Sequence, residues 1–229
     1  MIVRPPLRDL LPHELPRPGV NPYVATHRSF GEEAMPAGEA AAHRGRWADR
    51  FGREAPLHLE IGAGNGFYLS GMATLHPELN FVGIELRYKR VVIAARKLRA
   101  VEARNAVVAR YDATQVHSLF APGSLAGVHI NHPDPWARDR QAKHRLIGRD
   151  FLELLRPLLA TGGELRLKTD FRPHVDAMLE SVDGLFDVRA VVDDVKRDGA
   201  PWPDEVRTNY QRKADEAGTP VGAVWLSAR

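Results

Sequence analysis

Leu57-His58-Leu59-Glu60-Ile61-Gly62-Ala63-Gly64-Asn65-Gly66-Phe67 carries the strongest structural signal in the chain. Leu57 to Ile61 reads as a short buried strand, and three glycines then permit a tight turn that a ligand can approach closely. An amphipathic helix over Phe67 to Leu75 follows, so its N–H groups lie just beyond the turn. Strand, glycine turn and helix together open a βαβ unit.

Downstream, the same alternation continues. Strands are expected at Phe81 to Glu85, Val107 to Arg110, Gly127 to Asn131, Glu164 to Lys168, Phe186 to Val192 and Val221 to Ser227. Helices are expected at Arg87 to Ala103, Arg145 to Leu159 and His174 to Val182. This order predicts a doubly wound, Rossmann-like α/β fold with a mostly parallel, seven-stranded sheet. Toward the N-terminus, seven of the 17 prolines fall within the first 36 residues, which predicts an extended Pro-rich arm. A short helix near Gly38 to Phe51 ends it. The expected organisation is an extension over 1–50 and one catalytic or binding domain over 51–229.

Composition narrows the chemistry. The 229 residues are 44% hydrophobic and 27% charged, as in ordinary globular chains, and contain no cysteine. That excludes disulfides, a cysteine nucleophile and thiolate metal sites. The histidines form no compact ligand motif, so no metal is expected. The charged, proline-rich N-terminus is unlike a signal peptide, and no run of 18 apolar residues exists to cross a membrane. A cytoplasmic protein with no membrane association is the expectation. Monomer and homodimer both stay open.

Ligands of open α/β sheets bind beyond the C-terminal strand ends, and acids recur there. Glu85 ends the second strand 23 residues after Gly62, the interval at which a carboxylate grips ribose hydroxyls. Asp112 follows the third strand, where it or its backbone frames an adenine. Phe67 stands where a dinucleotide fingerprint needs a third glycine, so Gly62, Gly64 and Gly66 suit S-adenosylmethionine better than NAD. After the fourth strand comes Asn131-His132-Pro133-Asp134-Pro135-Trp136, a carboxylate stiffened by two prolines and followed by an aromatic ring. Arg138, Arg140, Lys143, His144, Arg145 and Arg149 come next, a basic run suited to a polyanion. A second basic set on the helix after Glu85 reads as an ordinary exposed helix face.

EIGAGNG (60–66), VGIELRYKR (82–90), HPDPWARDRQAKHR (132–145), GGELRLKTD (162–170) and TNYQ (208–211) are similar, in order and spacing, to motifs of the tRNA (guanine-N7)-methyltransferase family. The resemblance spans about residues 55 to 229. It implies a methyltransferase fold and transfer of methyl from S-adenosylmethionine to N7 of the variable-loop guanine, position 46, of tRNA. By matched motif, Glu60, Gly62, Gly64, Gly66, Glu85, Asp112 and Asp134 are implied to hold the cofactor, with Asp134 also catalytic. Arg138, Asp170, Thr208, Asn209, Tyr210 and Gln211 are implied to contact tRNA. Three positions depart from the family pattern: His132 replaces an aromatic, Arg138 a common lysine, and Gln211 the glutamate that ends TxYE. Two other readings compete, a tRNA-binding module without transfer activity and a methyltransferase for another RNA or a small-molecule acceptor.

Overall fold

The computed structural model describes residues 22–229, and the first 21 positions of the expected arm lie outside the described residues. Two compact units divide at Ala121 and Pro122.

In the first unit, strands β2 (Leu57–Ile61), β3 (Asn80–Glu85) and β4 (Ala106–Arg110) alternate with helices α4 (Phe67–Leu75) and α5 (Tyr88–Ala100). Their spatial order is β4, β3, β2, and every pairing is parallel, as βαβ connections require. Nearly every strand residue is buried, because helices must cover a parallel sheet. α5 turns Val91, Val92, Ala95 and Leu98 inward, each fully buried. Burying a side chain of the Val or Leu class is worth about 1.5–3 kcal/mol, so this stripe fixes the helix on the strands.

The N-terminal segment departs from the extended reading. Pro22 starts a helix, α1 (Pro22–Arg28), at the position where proline's fixed φ and missing N–H cost nothing. The expected helix near Gly38 to Phe51 is two helices, α2 (Ala37–Ala42) and α3 (Trp47–Phe51), separated where Gly45 takes φ of 73°. This segment is packed: Val24, Phe30, Met35, Ala40 and Trp47 are buried. Trp47 Nε1 donates to the Leu119 carbonyl at 2.9 Å, and its ring stacks on Phe120. Just before α2, the two-residue strand β1 (Ala34–Met35) pairs parallel with β4, a strand beyond the expected seven.

Most cations on α5 are occupied with this framework. Arg99 forms a two-pronged bond to Glu33 at 2.7 and 2.8 Å, and Lys97 Nζ sits 3.8 Å from the centroid of the Phe67 ring. Arg90 lies 3.7 Å from Glu85. The helix's basic face therefore serves the fold.

In the second unit, strands β5 (Leu125–Asn131), β6 (Leu159–Thr169), β7 (Phe186–Val192) and β8 (Gly222–Ala228) lie in the order β5, β6, β8, β7. β5 and β6 are parallel, while β8 runs antiparallel to both β6 and β7. Helices α6 (Arg149–Leu155), α7 (Arg172–Glu180), α8 (Val195–Asp198) and α9 (Asn209–Ala217) connect them. The helix expected from Arg145 to Leu159 is shorter, because Gly148 holds its start and Pro157 tightens its end into a 3₁₀ turn. α9 was unexpected. Among the described residues, no helix is long and apolar enough to cross a membrane.

Candidate active site

The first unit builds a ligand cradle from the glycine turn and β3. Gly62, Gly64 and Gly66 adopt φ of 75°, 56° and 74°, the left-handed region that side chains resist. Gly62 and Ala63 N–H groups both donate to the Ile84 carbonyl, at 2.9 and 3.0 Å, which pulls the turn against the end of β3. The Glu85 carboxylate completes the tie: Oε2 accepts from the Gly64 N–H at 3.1 Å and Oε1 from the Arg87 N–H at 2.8 Å. Glu60, the penultimate residue of β2, is also buried, at 3% exposure.

The glycines differ in duty. A Cβ on Gly62 would meet nothing within 4 Å among the described residues, so that side of the turn is open to a ligand. Gly66 faces inward, where a Cβ would stand 2.6 Å from the Ala94 Cα. Asp112 lies one residue beyond Tyr111, whose N–H donates to the Glu85 carbonyl. One carboxylate oxygen of Asp112 caps the short turn Ala113–Ser118, accepting from Thr114 N–H and Oγ1 at 2.9 and 2.8 Å. Open glycine backbone and two strand-end carboxylates in succession suit a ligand with ribose hydroxyls and an adenine, and so fit S-adenosylmethionine.

The second unit holds the acid loop. His132 and Trp136 take φ of 47° and 42°, two non-glycine residues in the left-handed region bracketing Pro133-Asp134-Pro135. Such backbone is sparsely populated and persists only when its surroundings enforce it. Arg145 supplies the enforcement: its Nε donates to the Pro135 carbonyl and its Nη2 to the Trp136 carbonyl, both at 3.2 Å. The same guanidinium lies over the Phe171 ring, 5.1 Å from its centroid. Asp134 itself is exposed, as are Arg138, Arg140 and Lys143. Trp136 packs its ring on His144, 5.3 Å between centroids. The basic run is thus split. Arg145 shapes the loop, and Arg149 bonds Glu153 and the Ser181 and Asp183 carbonyls, leaving the earlier cations on the surface.

Asp170, at the end of β6, is half-exposed and held by His132. The two side chains lie 3.0 Å apart, Nδ1 to Oδ1, and a carboxylate can only accept, so Nδ1 carries the hydrogen. That bond holds the Asp170 carboxyl below the usual carboxylate range. The His132 ring also stacks on Tyr210, 5.8 Å between centroids at 26°. The departure from an aromatic at position 132 therefore keeps a flat ring and adds a hydrogen bond.

The Thr208 to Gln211 stretch divides between surface and interior. Thr208 caps α9, its Oγ1 accepting from the Gln211 N–H at 2.9 Å, and both residues are buried. Asn209 Oδ1 accepts from Arg212 at 2.9 Å, and Tyr210 is 52% exposed. Gln211 Oε1 receives a bond from the fully buried Lys168 ammonium at 2.9 Å. No local sequence pattern announces the structural parts played by Arg145, Lys168 and His132. Thr-x-x-Gln is a helix-start signature that announces α9.

His174, on α7 beside Asp170, is fully buried against Phe171, edge to face at 5.0 Å. Burial first, then the Arg145 charge, lowers its pKa from 6.5 to about 4, with Asp170 pulling weakly the other way. The folded protein holds this ring neutral while the unfolded chain protonates it below its ordinary pKa. Stability therefore falls as pH drops through that window, by about 2 kcal/mol between roughly pH 6.5 and 5. Urea midpoints at the two pH values measure the loss. A His174→Gln variant with an equally steep acid loss would assign it elsewhere.

Residues 54–224 match the model of a family described as putative methyltransferase. A tRNA (guanine-N(7)-)-methyltransferase of Geobacillus thermodenitrificans is 38% identical over 79% of this chain and 83% of its own. One from Bacillus subtilis is 32% identical over 79% of this chain and 84% of its own. The crystal structure of a 30S ribosomal A1408 methyltransferase from an uncultured bacterium superposes with a TM-score of 0.54 at 14% identity, over 81% of this chain and 93% of that one. That likeness establishes the Rossmann-like methyltransferase fold. On sequence, the chain belongs to the tRNA (guanine-N(7)-)-methyltransferase family.

Proposed function

We propose that this protein methylates N7 of the variable-loop guanine, position 46, of tRNA, with S-adenosylmethionine as donor, and that residues 51–229 are the methyltransferase domain. The relatives' shared activity supports the reaction, and the observation that carries it here is the exposed Asp134 carboxylate on a loop braced by Arg145. A tRNA-modifying role also carries the cytoplasmic location expected from the sequence.

In this reading Glu60, Gly62, Gly64, Gly66, Glu85 and Asp112 hold the donor, which when bound supplies an electrophilic methyl on a sulfonium. Guanine N7 has an in-plane lone pair and no proton, so no base is needed to activate it. Methyl transfer to that lone pair from a sulfonium so held would leave the positive charge on the guanine. The protein's task is orientation, which is worth several kcal/mol when the reacting atoms are held at near-attack distance. Asp134 offers a fixed negative charge to the ring that becomes cationic. Asp170, oriented by His132, holds the base edge. Arg138 contacts phosphate, and Asn209 and Tyr210 contact the RNA from the start of α9. Thr208 and Gln211, both buried, set the shape of that surface through the helix cap.

Transfer of labelled methyl to unmodified tRNA, mapped by cleavage at 7-methylguanosine, tests the reading. Label at the variable-loop guanine is expected. Label confined to another nucleotide, or none in tRNA despite donor binding, would overturn it.

A further inference from the structure

Lys168 is a fully buried ammonium on β6, and such a charge needs a counter-charge and bonds for its protons. Nζ donates to the Val206 carbonyl at 3.0 Å and to Gln211 Oε1 at 2.9 Å. Gln211 is a neutral amide, so the residue in closest side-chain contact brings no charge. The carboxylate comes from Glu205: its Oε1 lies 3.6 Å from Lys168 Nζ and accepts from Gln211 Nε2 at 2.5 Å. One carboxylate oxygen is shared between the lysine and the amide, and the amide is aligned to pass the interaction on.

The lysine also sits at a junction. Its backbone carbonyl accepts from the His132 N–H at 2.8 Å, and Asp170 follows two residues later. The segment it grips, 205–211, carries Tyr210, whose ring stacks on His132. Docking of that segment on Lys168 thus fixes where Tyr210 lies relative to Asp170.

We infer that Glu205 is a positioning residue for tRNA: its carboxylate faces the buried Lys168 ammonium, and so clamps the segment bearing Asn209 and Tyr210 against β6. The inference rests on the proposed function for its substrate, while the clamp itself is independent of it. The charge is interchangeable between the two positions, which gives the test.

E205Q is expected to raise KM for tRNA about tenfold, the size of one lost charge-assisted bond, with S-adenosylmethionine affinity unchanged. It is also expected to open the bond between the exposed Arg207 and the buried Thr208 to trypsin. E205Q/Q211E, which restores a carboxylate beside Lys168, should return both properties to wild type. A purely stabilising ion pair would instead lower the melting temperature and leave KM alone. Wild-type KM and tryptic pattern in E205Q would overturn the inference, as would a folded double variant that keeps both defects. Should E205Q not fold, a double variant with the wild-type tryptic pattern supports the clamp, and one that also fails to fold refutes it. Absence of any transfer by the wild-type enzyme would count against the proposed reaction alone, since the Arg207 cleavage still reports on the clamp.

Discussion

Asp134→Ala is expected to lower methyl transfer to tRNA by about 10²- to 10³-fold, the range found when one preorganised charge-stabilising group is removed from a transition state. The side chain is exposed, so its loss leaves no buried partner stranded and the melting temperature should stay within the small range of surface substitutions. Rate and stability therefore separate in this variant. Circular dichroism and a single-turnover methylation assay on one preparation measure both. Turnover near that of the wild type would remove Asp134 from the chemistry, and the basic run beside it would then be a binding surface only.

Gly66→Ala is expected to be the most damaging single-methyl change in the first unit. The added Cβ would lie 2.6 Å from the Cα and 2.7 Å from the Cβ of Ala94, and backbone atoms of a packed helix cannot swing aside. Overpacking costs about 1–3 kcal/mol, and a left-handed alanine adds about 1–2 kcal/mol. A loss of about 3 kcal/mol in urea unfolding follows, with donor binding reduced because α4 is displaced from the glycine turn. Gly62→Ala provides the contrast, since its Cβ would point into open space and incur the backbone strain alone. Equal destabilisation by the two substitutions would show that contact with Ala94 is not what position 66 is shaped for.

The parts of this fold that were legible from sequence are those governed by short-range rules. β2, the glycine turn and α4 coincide with the expected spans, because apolar runs, glycines and helix periodicity all act within a few residues. The acids Glu85 and Asp112 lie at or just past the C-terminal ends of successive parallel strands, as expected from the βαβ pattern. What escaped depends on distant partners. Arg145 reads as one cation among six, and only its reach back to Pro135 and Trp136 distinguishes it from Arg140. Lys168 and Glu205 are 37 positions apart, and no local pattern joins them. α1 defies the proline count because that count ignores position, and Pro22 occupies the helix's first turn. α9 starts at Thr208 to Gln211, where polar residues suit a substrate contact and a helix cap equally well by composition.

The two left-handed residues around Asp134 have a consequence for anyone seeking a sturdier form of this protein. Residues so placed cost of order 1–3 kcal/mol each, and glycine would relieve that cost. Selection for heat resistance alone would thus be drawn to His132 and Trp136, two positions where the fold gives up stability. Glycine at either would also loosen the segment carrying the acid, and at His132 it would release Asp170 and Tyr210 as well. The gain in robustness and the loss in turnover would come from the same substitution, so the most obvious stabilising changes in this chain are the ones to avoid.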